Sequence, residues 1–124
     1  MKLSEVLSKI DALKFNTYSP EVKIAWISNL DQKIKTQIID LHEGGSDTVF
    51  NGYDENTDGD AVLLVPSPFD EIYLRWLEAM IDYSNGEYDK YNSAIQLYNT
   101  LYKAYANHYT RTHKPLSHGA RFKF

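Results

Sequence analysis

The chain has no cysteine. Disulfides and thiolate–metal sites are therefore excluded, although this absence does not fix a compartment. Positive charge is also short: 13 Lys and Arg stand against 17 Asp and Glu, for a net charge of −4. That balance argues against a general phosphate-binding protein and leaves room only for a local basic patch. No apolar run approaches the length needed to cross a bilayer. The opening "MKLSEVLSKIDALKF" spreads its charges and has no apolar centre, so no secretion signal is expected. Repeats, low-complexity tracts, phosphate loops, dinucleotide glycine patterns and nucleophile elbows are all missing. What is abundant is tyrosine, with ten residues. Tyrosine buries area while keeping a polar tip, which suits surfaces wet in one state and covered in another.

With 124 residues and ordinary apolar content, the chain fits one domain with an affordable core. The spacing predicts an all-α bundle of four helices. The first covers about 3–13, with Leu3, Val6, Leu7, Ile10 and Leu13 on one face. Ser19 then reads as an N-cap, with Pro20 at the first helical position and Glu21 in the first turn. The second helix is expected over about 20–42, with Ile27, Leu30, Ile34, Ile38 and Leu41 as its stripe and Gly44–Gly45 ending it. Residues 45–68 lose the helical period. They form a long loop carrying one short extended segment, "AVLLV", closed by Pro66 and Pro68. A third helix is expected over about 69–84 and a fourth over about 87–112. The tight "SNGE" stop between them makes them antiparallel neighbours. Residues 1–113 read as one helical domain and 114–124 as an arm.

The fourth helix carries two adjacent seams. One is Tyr88, Tyr91, Ile95, Tyr98, Tyr102, Tyr105 and Tyr109. The other is Ala94, Leu97, Leu101, Ala104 and His108. Leu97, Leu101 and the alanines are expected in the core. A mostly tyrosine seam is less typical of one, because each buried hydroxyl needs a partner or costs about 1–3 kcal/mol. Part of it (Tyr91, Tyr98, Tyr102, Tyr105 and Tyr109) is expected against a neighbouring subunit, with Leu63 and Val65 of the loop sharing that position. The arm offers two readings. It is a frayed end, or it orders on a partner through Lys114, Arg121, Phe122, Lys123 and Phe124.

Candidate chemistry is thin. Counting Asp54 as the first position of a calcium loop, Asn56, Asp58 and Gly59 fit, but the twelfth position, a bidentate glutamate in such loops, is Val65. The oxygens of Asp54, Asn56, Asp58 and Asp60 remain only a low-affinity calcium candidate beside the reading as a solvated Asx turn. His108 and His113 are five apart and share no helix face, His113 and His118 straddle a proline, and His42 has no second histidine four residues on. His42 and His113 fall near helix C-termini, where an imidazolium is favoured. Asp70, Glu71, Glu78 and Asp82 read as a solvated face. Lys33, Lys35, Lys103, Arg111 and Lys114 are scattered among acids, with no recognition-helix signature. No catalytic residue and no cofactor is expected.

The phrases "SPEVKIAWISNLDQKIKTQIIDLHEGG", "LLVPSPFDEIYLRWLEAMIDYSNGEYDKYNSAIQLYN" and "YTRTHKP" resemble the head–tail connector (adaptor) proteins of tailed double-stranded DNA phages. The likeness spans about 19–115 and rests on whole phrases, not on one motif. It implies a small helical bundle forming a homo-oligomeric ring, commonly twelvefold, under the portal protein. Such a ring extends the DNA channel, passes DNA without sequence-specific contacts and offers a platform to the stopper or tail-completion protein. It also implies a non-enzymatic structural role in the virion neck, assembly in the host cytoplasm and no membrane contact. The portal-docking role would fall to Lys114–Phe124. Two other readings stay open: a calcium-binding module using residues 54–60, or a small helical regulatory or scaffolding protein.

Overall fold

A computed structural model describes residues 1–116. Four α-helices build the described residues: α1 Leu3–Leu13, α2 Pro20–Gln37, α3 Ile72–Ser84 and α4 Tyr88–Thr112. The all-α bundle expected from the spacing is what the chain forms. Single 3₁₀ turns lie at Ile39–Leu41 and Gly45–Asp47.

Local signals explain most of the boundaries. Ser19 Oγ accepts from the Val22 N–H at 3.4 Å, and Pro20 opens α2. The Glu5 carboxylate accepts from the Lys2 N–H at 3.0 Å at the start of α1. Two further N–H groups at that helix start, of Leu3 and Ser4, donate to the carbonyls of Ala61 and Gly59 at 2.9 and 3.0 Å. The long loop therefore satisfies donors that a helix N-terminus leaves orphaned. Gly86 ends α3 with φ +75, the left-handed geometry that a side chain disfavours, and α4 starts two residues later.

Two boundaries differ from the spacing. α2 stops at Gln37 because Ile38 leaves helical geometry (φ −121, ψ −62). The chain then turns through Ile39–Leu41, which buries Ile38 and Ile39 but leaves Leu41 56% exposed. Gly44 and Gly45 thus serve the following turn. A Cβ at Gly45 would run into the Ile39 carbonyl, so this close approach requires glycine. α3 begins at Ile72, after successive turns such as Phe69 N–H to Pro66 O and Ile72 N–H to Phe69 O.

Cross-helix pairs set the directions. Trp76 Nε1 donates to the Trp26 carbonyl at 2.8 Å, and Tyr18 donates to Asn85 Oδ1 at 2.7 Å, so α2 and α3 run antiparallel. Gln37 meets Tyr102 and His42 meets Thr110, so α2 and α4 run parallel. Lys23 on α2 reaches Asp11 on α1 at 2.6 Å and ties those two helices together. The core joins Leu3, Val6 and Ile10 with Ile27, Leu30 and Ile34, Leu77 and Ile81, and Tyr98 and Tyr105. Each fully buried aliphatic side chain contributes about 1.5–3 kcal/mol relative to exposure.

Leu63 and Val65 lie inside this same core, 3% and 0% exposed. The expectation that they share a subunit boundary is corrected: the chain's own helices cover them. After α4, Lys114–Leu116 is tied back to the bundle. Glu43 N–H donates to Lys114 O at 2.7 Å, and Leu116 N–H donates to Leu41 O at 3.1 Å. Of the expected arm residues, Lys114 is described, whereas Arg121, Phe122, Lys123 and Phe124 lie outside the described residues.

Candidate functional site

The largest polar construction is buried, and its centre is Asp31 on α2. Its carboxylate is wholly excluded from solvent. Oδ1 accepts from the Tyr73 hydroxyl at 2.6 Å, and Oδ2 accepts from the Tyr53 hydroxyl at 2.7 Å and the Leu64 N–H at 3.2 Å. The Tyr73 oxygen in turn accepts from the Val65 N–H at 2.8 Å. One carboxylate thus clamps α2, α3 and both arms of the long loop. Burial raises the Asp31 carboxyl above the ordinary range, against the three hydrogen bonds that lower it. Burial, reinforced by the Asp31 charge, pushes the Tyr53 and Tyr73 hydroxyls up as well, so both stay protonated donors. Each of these groups has a hydrogen-bond partner within the cluster. They make a buried structural clip that joins α2, α3 and the loop.

The acidic loop behaves as an Asx turn. Asp54 Oδ1 accepts from the Asn56 N–H at 2.8 Å, and Asp58 Oδ1 from the Asp60 N–H at 2.9 Å. Asp60 lies 3.8 Å from Lys2 Nζ. No cluster of three or more metal-ligating side chains occurs among the described residues.

Two of the four acids expected on a solvated face are held in ion pairs at its margins, and this corrects that expectation. Asp82 is 1% exposed and lies 2.7 Å from Lys14 Nζ. Asp70 meets the Met1 amine at 3.4 Å. Glu71 and Glu78 do lie on the outside, both paired with Arg75. On α1, the Lys23 ammonium holds the Asp11 carboxyl below its usual range through a 2.6 Å hydrogen bond.

His42 does cap the end of α2, but from inside the bundle and not on its surface. It is buried, its Nδ1–H donates to Ile38 O at 2.6 Å, and Nε2 meets Thr110 Oγ1 at 3.3 Å. The Nδ1 proton is assigned from its carbonyl partner. The ring packs edge-on against Tyr109 at 5.0 Å. His113 does sit at the C-terminus of α4, stacked on Tyr109 at 3.7 Å.

The two seams of α4 keep their expected roles only in part: Ala94 is buried as expected, but so are two of the tyrosines. Tyr98 and Tyr105 are buried in the chain's own core, so neither offers a surface to a neighbour. Tyr98 packs on Trp76 at 4.9 Å, and its hydroxyl meets Lys33 Nζ at 3.4 Å. Tyr105 packs on Phe69 at 5.7 Å, and burial pushes its hydroxyl up to about 12. Tyr91, Tyr102 and Tyr109 are half-buried. Tyr102 donates to Gln37 Oε1 at 2.7 Å, with the Lys33 ammonium 4.9 Å from its ring centre. By contrast Leu97 is 49% exposed and Ala104 is exposed, with Leu101 half-buried between them. The uncovered part of the leucine–alanine seam is Leu97 and Ala104.

Set against known proteins, the chain matches no family model, no curated protein and no solved structure. The residues themselves therefore carry the reading. Asp31 was missed in the sequence although it left a signal. It falls on the apolar stripe, four residues after Ile27 and three before Ile34, where a carboxylate needs buried partners. The split burial of the α4 seams left none, because both repeat with the same period.

Proposed function

We propose that the protein is a structural virion component, a head–tail connector that assembles as a ring under the portal. The observation that carries this is the outer seam of α4. A helix of 25 residues, about 37 Å long, buries Tyr98 and Tyr105 and leaves Leu97 and Ala104 exposed, with Leu101 half-buried between them. An apolar line left uncovered on a small bundle calls for a protein neighbour. In a ring the contacts are heterologous, so that seam would meet a different face of the next copy.

Other features support the same reading. The phrase resembling connectors, Leu63 through Asn99, folds as one piece: a pinned extended segment, α3, a tight turn and α4. The acidic net charge suits a channel that lets duplex DNA slide without gripping its phosphates. Portal and stopper or tail-completion protein would then be the partners, the neck of the virion the location, and twelve the expected ring number. The calcium reading is less favoured, since Asp54 and Asp58 spend oxygens on their own backbone.

The test is co-assembly with the cognate portal, followed by electron microscopy. Rings stacked on the portal support the reading, and failure to bind any portal rejects it. A solution monomer does neither, because such subunits can assemble only on their platform.

A further inference from the structure

A cleft of about 450 Å³ opens between α3, the first half of α4 and Lys14. That volume lies within the roughly 300–1,000 Å³ of small-molecule sites. Lys14, Arg75 and Lys90 line it together with Glu78, Asp82 and Asp89. Ala94 and Leu97 of α4 supply an apolar side.

Every cation in this cleft already has an acid. Lys14 Nζ lies 2.7 Å from Asp82 and Lys90 Nζ 2.7 Å from Glu87. Arg75 is held by Glu71 and Glu78 at 3.2 and 3.3 Å. The acids are not matched in return. Five of them meet three cations, and Asp89 has no ion-pair partner among the described residues. The deficit is sharpest at Asp82, which is 1% exposed. An ionised carboxylate offers about four acceptor sites. Asp82 has one cation beside Oδ1, and that buried oxygen accepts no hydrogen bond among the described residues. A buried acceptor in this state carries a desolvation penalty, which a donor brought into the cleft offsets.

The unmatched charge is negative, which disfavours an anion. A bare metal ion is disfavoured too, because no three ligating side chains converge among the described residues. What fits is a cation with its own N–H donors and an apolar stem. The excess of two negative charges matches two ammonium groups on one chain. We propose that this cleft binds a short aliphatic diamine, with one ammonium donating to Asp82, the other facing Asp89, and the methylenes lying along Ala94 and Leu97. The inference rests on the cleft and its charges and does not depend on the connector reading.

The experiment is a nuclear magnetic resonance titration of the full chain with 1,4-diaminobutane at constant ionic strength. The amide signals of Ser93, Ala94 and Leu97 shift along a saturating curve. The buried Leu63 and Val65 methyl signals stay in place, which reports an unchanged core. Asp82→Asn weakens binding by about tenfold or more, the loss expected of one charge-assisted hydrogen bond. Ser93→Arg tests the same cleft from an exposed position and leaves the buried pair untouched. Its guanidinium reaches Asp89 one turn back and occupies the cleft, so diamine binding is lost. Shifts that are absent, or that grow without saturating, overturn the proposal. Magnesium chloride producing the same saturating shifts overturns it as well, because charge without N–H donors then suffices. Binding that Ser93→Arg leaves unchanged also overturns it, because the diamine then sits elsewhere.

Discussion

Asp31 holds three parts of the chain through one carboxylate, so its partners are individually expensive to remove. Tyr73→Phe deletes a hydroxyl that donates to Asp31 and accepts from the Val65 N–H, both buried. It is expected to lower stability by about 1–3 kcal/mol, read from the urea midpoint at unchanged slope. The pH dependence has a definite sign. Because burial raises the folded-state pKa of Asp31, the folded chain holds this proton more tightly than the unfolded chain. Its contribution is fully present below the unfolded carboxyl value and is lost as pH rises through the folded one. Asp31→Asn removes the titration. Urea denaturation at several pH values should show wild type losing ground to this variant as pH rises from the normal carboxyl range. A gap independent of pH would contradict the assignment.

At the scale of elements, α4 decides the most. Tyr98 and Tyr105 of its tyrosine seam are core, so Tyr98→Ala should destabilise by about 3–5 kcal/mol, the range for emptying a large buried aromatic site. The outer seam should behave oppositely. Leu97→Lys places a charge on a half-exposed position and should change monomer stability by no more than about 0.5 kcal/mol by thermal or urea melting. The same substitution should abolish ring formation on the portal if that seam meets a neighbour. The long loop is likewise not a passive connector. It supplies Leu63 and Val65 to the core and caps α1 through Gly59 and Ala61. Its acidic tip is a turn, and titration calorimetry with calcium should show no tight binding.

For the whole molecule, the bundle has different surfaces at different places: an outer leucine–alanine seam, a histidine- and tyrosine-lined groove and a charged cleft near Lys14 and Lys90. Such asymmetry suits head-to-tail assembly, in which each copy meets its neighbours through unlike faces. Deleting Lys114–Phe124 tests the arm at this scale. If the proposed connector role holds, portal binding should fall while the bundle keeps its core, since the core residues all precede Lys114. Undiminished binding after the deletion would reject the portal-docking role of the arm.

Period, caps and breakers were sufficient for the four helices, because 3.6-residue spacing, Ser19–Pro20 and the Ser84–Glu87 stop act locally. They were not sufficient for the end of α2, where tertiary packing draws Ile38 and Ile39 inward and bends the chain early. Nor could they choose between the seams of α4. Both have the same rhythm, and the choice depends on what stands opposite: Trp76, Phe69 and Lys33 give the tyrosines rings to pack on and a polar partner. The sequence by itself determined an all-helical bundle without thiolate chemistry. Only the tertiary structure decided which polar groups are buried, because Asp31, Asp82 and His42 become affordable inside only where distant residues supply a donor, a cation or a carbonyl.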